Sequence, residues 1–295
     1  MGSSIRFLIN NIIMFSDEKL KKGFIFISNG KIADLGEEPP PEYELSELVY
    51  DYEGIALAIH GFSILASLSD YPFRGIRDTD LSVYSRQELE KFAQAGIYEL
   101  LLNGVTFPII EDKYPEIVIH LLKSLELKGA LVVEKGIVKH YPDIIILEKE
   151  NDKIYYNDKL LGKYDEIFCD INNVPSQIDK CMAYSLIGSI SYNVSALITQ
   201  AYRNLGNKIF RILTNSYRIL GIDKGTITKA SKADLLIYSS KDSLKAAPMT
   251  VDPLIMTARG YPPDQVIIGG DIFFDKYESL VIAKPNIDQI ISRGD

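Results

Sequence analysis

Only two cysteines and three histidines occur in 295 residues. The chain also has no block of basic residues, and no apolar run nears the ~20 residues that a membrane-spanning helix needs. Each shortage excludes something. Cys169 and Cys181 form neither a CxxC metal pair nor a disulfide framework. Cys169 sits in the apolar run EIFCDIN, and a small buried hydrophobe is the expected role. His60, His120 and His140 show neither the i, i+2 nor the i, i+4 spacing that aims two imidazoles at one ion. With 32 Lys and Arg against 40 Asp and Glu, the net charge is −8, so nothing could track a phosphate backbone and no nucleic-acid partner is expected. The N-terminus lacks the basic-then-apolar pattern of a signal peptide. A soluble, cytoplasmic protein with no membrane partner is expected. The abundance of Lys, Glu, Ile and Tyr suggests a thermophilic source.

What is present is 46% hydrophobic residues, enough for one large or two modest domains. The segments IRFLINNIIMF, GFIFISNG and KIADLG read as short strands punctuated by Asn-Gly and Gly. The stretch EEPPPEYE is an extended exposed connection to a further strand, VYDYEGIALAI. From about Gly61 the periodicity changes. Ser85 and Glu88 form a capping box, and Leu89, Phe92, Ala93, Ile97, Leu100 and Leu101 follow at helical spacing up to Gly104. The buried strand VTFPII, a helix begun by Pro115 and closed by Gly129, and the strand ALVVEKG come next. This alternation is that of βα units building a parallel sheet. Farther on, DIIILEKE reads as a strand, DKIYYNDKLLG as a hairpin turning at Asn157-Asp158, and EIFCDIN and SLIGSIS as strands. A long helical region, residues 195–220, precedes a return to strands in GTITKASKADLLIYSS, QVIIGGDIFFD and SLVIA.

Ordered motifs at both ends resemble the amidohydrolase superfamily, in particular its cytosine-deaminase-like and chlorohydrolase-like metal-dependent hydrolases. IFISNGKIADLG, EGIALAIHGF, FRGIRDTDL and YELLLNGVTFPII are similar to that family's opening strands and first barrel units. TNSYRILGI, GTITKASKADLLIY and QVIIGGDIFF are similar to its closing segments. The matches cover roughly residues 5–110 and 210–277. The resemblance implies an α/β fold: a metal-dependent-hydrolase-type TIM barrel over residues 60–221, with a composite β-sandwich from residues 1–59 and 222–295. A complete barrel takes about 250 residues, whereas the interval here leaves room for five or six units, so the barrel should be shortened or incomplete.

The departures bear on function. The family's His-x-His falls on Ala66 and Leu68, and its terminal Asp on Ile190, so three metal-site positions are apolar. The family would use Zn or Fe; here no cofactor is expected. His60 reads as a packed or solvent-bridged histidine, His120 as a surface side chain, and His140 as a loop residue before a strand. The sequence thus points to an amidohydrolase-like protein, catalytically inactive, that binds a small molecule or a protein partner. The alternative is a hydrolase acting on C–N bonds through a rebuilt, carboxylate-based metal site. Strand ends and the loops beyond them supply the cleft candidates: Asp70, Arg74, Arg77, Glu111, Glu134, Asp170 and Asn172. None has an assignable catalytic role. Arg74, Arg77 and Lys135 also suggest a site for a small anion. Edge strands left by the missing units need cover, from the hairpin DKIYYNDKLLG together with a second copy of the chain in a homodimer.

Overall fold

A computed structural model describes residues 5–76, 79–137, 141–170, 178–241 and 244–291. The N-terminal strands are β1 (Phe7–Ser16), β2 (Lys19–Ser28), β3 (Lys31–Gly36), β4 (Leu48–Asp51) and β5 (Ala56–His60). The stretch expected as one strand is broken at Glu53 and Gly54, whose φ values of 55° and 75° turn the chain between β4 and β5. Both pieces return to β1 as parallel partners, β4 at its beginning and β5 near its end.

Next come β6 (Phe62–Ala66), α1 (Arg86–Leu102), β7 (Val105–Glu111), α2 (Pro115–Ser124), β8 (Gly129–Glu134) and β9 (Ile144–Glu150). The capping box at the head of α1 is formed as expected, with Ser85 and Glu88 each serving the other's backbone N–H. The hairpin β10 (Lys153–Tyr156) and β11 (Lys159–Lys163) turns at Asn157 and Asp158, both at positive φ. Then follow α3 (Tyr164–Ile167), β12 (Phe168–Cys169) and β13 (Ala183–Ser185). The region expected as one long helix is two, α4 (Val194–Leu205) and α5 (Lys208–Ile219), because Gly206 at φ 54°, ψ −140° leaves helical space between them. The chain ends with β14 (Leu235–Ser239), β15 (Gln265–Ile268), β16 (Asp271–Asp275), β17 (Glu278–Ser279) and α6 (Asp288–Ile291).

Two sheets result. One joins both ends of the chain in nine strands, with β5 beside β14. The other has eight strands in the order β11-β10-β9-β8-β7-β6-β13-β12, curled as a shortened barrel. Its six strands from β9 to β12 run parallel, and the antiparallel hairpin extends it beside β9. β13, late in the chain, pairs with the first parallel strand, β6, and β12 lies beyond it, so the hairpin and β12 stand at the two margins of the sheet. Helices α1 and α2 cover one face through Phe92, Ile97, Ile117 and Val118, packed with Ile64, Ile110 and Leu131. The other face is filled by Leu65, Phe107, Ile109, Val132 and Leu147 with Tyr217 of α5.

The cysteines depart from expectation. Cys169 and Cys181 are joined as a disulfide across 12 residues, both fully buried. Hydrophobic pattern says where a cysteine is buried and nothing about which sulfur it meets. Among the described residues no helix is long and apolar enough to cross a membrane.

Candidate functional site

The parallel strands end together at a cleft of about 720 Å³. Three of the sequence candidates, Asp70, Glu111 and Glu134, line it. Glu111 ends β7, and two neighbours absent from the sequence reading take up its oxygens. Lys149 of β9 donates to Oε1 at 2.9 Å, and the Tyr164 hydroxyl of α3 donates to Oε2. The ammonium also lies 4.6 Å from the Tyr164 ring. Burial raises the Tyr164 phenol, and the Glu111 carboxylate raises it further, so the hydroxyl stays protonated.

Asp112, next in the chain, was not a candidate, yet it organises the mouth. Its Oδ2 accepts from the Leu68 and Ser69 amides, each at 2.8 Å, and from Ser67 Oγ at 3.3 Å. Its Oδ1 accepts from Ser69 Oγ at 2.5 Å and from the Tyr114 amide at 2.9 Å. The Tyr192 hydroxyl donates to the Ser67 carbonyl and closes the same loop from the α4 side. The readable signal was an Asp three residues before a helix-starting proline, an Asx-turn pattern.

Asp70 is the least satisfied group here. Its Oδ1 is buried without a hydrogen-bond partner. Its carboxyl is raised, by burial foremost and by the nearby Asp112 charge, although Ser67 opposes the shift.

Arg74 leaves the cleft. It lies 4.0 Å from the Tyr71 ring and donates to Glu99 at 3.1 Å, while Tyr71 donates to the same carboxylate oxygen. Burial and Glu99 push the Tyr71 hydroxyl up to about 12. Lys135 also turns away, to Glu150 at 3.2 Å, so an anion site built on Arg74 and Lys135 does not assemble at the mouth. Asp170 is exposed beyond β12 and does not line the cleft. Arg77, Asn172 and His140 lie outside the described residues.

The positions matched to the metal ligands are also displaced from the cleft. Ala66 pairs with Ile110 and shares the helix-covered core with Leu68. A Cβ on Gly96 of α1 would stand 3.0 Å from Leu68 Cδ2, which puts Leu68 against that helix. Ile190 is 79% exposed and touches the turn at Gly75. Ser67, between the first two, is the residue that faces the mouth.

No protein-family model matches the sequence, and no curated protein does. Solved structures do match. Atrazine chlorohydrolase TrzN from Arthrobacter aurescens TC1, complexed with zinc, is 11% identical at a TM-score of 0.68, with 97% of this chain and 98% of that one covered. An adenosine deaminase from Xanthomonas campestris with bound zinc is 13% identical at 0.64, with 98% and 97% covered. E. coli guanine deaminase is 11% identical at 0.63, with 92% and 100% covered. All three belong to the amidohydrolase superfamily, and this chain has their fold.

Two of those proteins hold zinc, but the donors here do not fit such an ion. Ala66 and Leu68 offer hydrocarbon, Glu111 is held by a lysine and a tyrosine, and Asp112 is saturated by five donors. Among the described residues no three His, Cys, Asp or Glu side chains converge as a metal site.

Proposed function

We propose that this chain is an amidohydrolase-like protein that binds a small molecule in the cleft at the C-terminal ends of β6, β7 and β8 without hydrolysing it. The observation that carries this reading is the double engagement of Glu111. With an ammonium on one oxygen and a phenol on the other, this carboxylate presents no unengaged oxygen to a substrate proton or a metal ion. The cleft retains what binding needs. Phe73, Leu81 and Val132 give apolar walls, and the unpartnered Asp70 Oδ1 gives an acceptor for a ligand donor. The proposal includes the finer architecture expected from sequence, a barrel segment over residues 60–221 and a composite sandwich from residues 1–59 and 222–295.

The supporting experiment is a thermal-shift screen of small metabolites, repeated on Asp70→Ala. Compounds that stabilise the parent and lose their effect in the variant support binding at this cleft. A second reading, C–N bond hydrolysis at a rebuilt carboxylate site, is favoured only by the same free oxygen of Asp70. A turnover that copurifies with the protein and disappears in Glu111→Gln would establish it in place of the first.

A further inference from the structure

A second cavity, of about 410 Å³, lies beside the end of β5 at Ile59 and His60, just before β6, and shares no lining residue with the cleft. It lies between three pieces: the β1–β2 turn at Asp17 and Glu18, one face of α5, and the loop over residues 224–226. The pieces are fixed to each other. Thr226 Oγ1 accepts the Asp17 N–H at 3.1 Å, and Ser16 Oγ donates to the Ile227 carbonyl at 2.7 Å. Gly225 has φ +65°, and a Cβ there would stand 2.6 Å from the Thr214 carbonyl, so the loop is pressed onto α5. Phe15 and Phe210 meet edge to face at 5.4 Å and give the cavity an apolar wall.

His60, only 4% exposed, lines the same space. Its Nδ1 is 2.8 Å from the Gly61 carbonyl, which can only accept, so that nitrogen carries a hydrogen. In the neutral ring Nε2 then presents a lone pair. The nearest charged atom is Asp223 Oδ2 at 3.7 Å, beyond hydrogen-bond reach, while Asp223 Oδ1 takes the Gly225 N–H at 2.6 Å. Nε2 and Oδ2 are both shielded and without a hydrogen-bond partner. Two buried acceptors side by side call for a donor between them.

The rim does not make this an anion site. Arg211 is committed to Asp179 at 2.7 Å, with Glu18 at 3.8 Å, and Arg218 donates to Asn215 Oδ1 at 3.0 Å. Lys224 alone among the rim cations makes no ion pair among the described residues. We propose that this second cavity binds a small molecule with an apolar body and a terminal N–H donor, a primary amine or primary amide, received by His60 Nε2 and Asp223 Oδ2. The volume is within the roughly 300–1,000 Å³ range of small-molecule pockets.

Phenethylamine, phenylacetamide and phenylacetate, titrated calorimetrically into the full chain, separate the donor reading from an anion reading. The amine and the amide should bind at one site per chain, and phenylacetate should not. In ¹⁵N-histidine spectra of the unmodified protein, the amine should move the His60 Nε2 resonance and leave His120, exposed on α2, in place. His60→Phe should weaken amine binding about tenfold. Lys224→Glu, on the exposed rim, should strengthen it. Preferential binding of phenylacetate, no binding of amine or amide at millimolar concentration, or saturation that leaves the His60 signal unmoved would each overturn the proposal.

Discussion

Lys149 Nζ lies 2.9 Å from Glu111 Oε1, and this ion pair reaches from β9 to β7 over the strand between them. Both side chains are about a quarter exposed, at 26% and 27%, so water weakens the pair without dissolving it. With the Tyr164 hydroxyl on the other oxygen, the arrangement ties α3, which follows the hairpin, back to the mouth of the parallel strands.

Removing one partner should therefore cost stability. Lys149→Met leaves a half-buried carboxylate with Tyr164 alone, and a loss of about 1 kcal/mol is expected, or ~2–4 °C in Tm. Tyr164→Phe should lose a similar amount, and the double variant less than the sum. Thermal melts on the four proteins test this. Strict additivity would mean that the two donors do not share the carboxylate.

Asp70 should behave in the opposite sense. Its folded carboxyl is raised above the unfolded value near 3.9, so the folded state holds its proton more tightly. The stabilisation this gives is complete below the unfolded pKa and is lost as pH rises through the folded one. Asp70→Asn should then be more stable than the parent at pH 7, with the advantage shrinking toward pH 3.5. Urea midpoints at the two pH values would show it; an advantage that grew on acidification would refute the assignment.

Gly61 joins β5 to β6, and a Cβ there would fall 2.0 Å from Thr106 Oγ1 and 2.5 Å from its Cγ2. Gly61→Ala is expected to cost about 1–3 kcal/mol by overpacking. Thr106→Ala should restore part of that in the double variant, although it also removes the 2.6 Å contact with the Tyr217 hydroxyl. A single variant as stable as the parent would mean the junction yields.

How far the sequence could be read follows from the range of the forces involved. The Ser85–Glu88 capping box, the turn at Asn157-Asp158 and the apolar strands VTFPII and ALVVE are local signals, and each formed as read, whereas SLIGSIS and SLVIA, also read as strands, keep only Ser185 and Ser279 in β13 and β17. The break at Gly206 was also local, but helical periodicity on both sides concealed it. What the sequence hid is pairing between distant residues. Glu111 meets partners 38 and 53 positions away, and His60 faces Asp223. Spacing also could not say which way a strand end turns. Ala66 and Leu68 pack toward the helices, and Ser67 reaches the mouth.

The Cys169–Cys181 disulfide closes a loop of 12 residues. A crosslink of that span typically adds about 2–4 kcal/mol by restricting the unfolded chain. Cys169→Ser with Cys181→Ser should lower stability by that order, and the native protein should resist iodoacetamide until it is reduced. Ready alkylation of the untreated protein, with no loss of stability in the double variant, would contradict a formed bond.

We propose that the mouth of this fold holds no transition-metal centre, because Ala66 and Leu68 cannot ligate and Glu111 is committed to Lys149 and Tyr164. Elemental analysis of protein purified without chelators, and again after incubation with zinc and gel filtration, tests it most directly. Far less than one equivalent of zinc or iron per chain is expected in both samples. One equivalent that survives filtration and is lost in Glu111→Gln would contradict it.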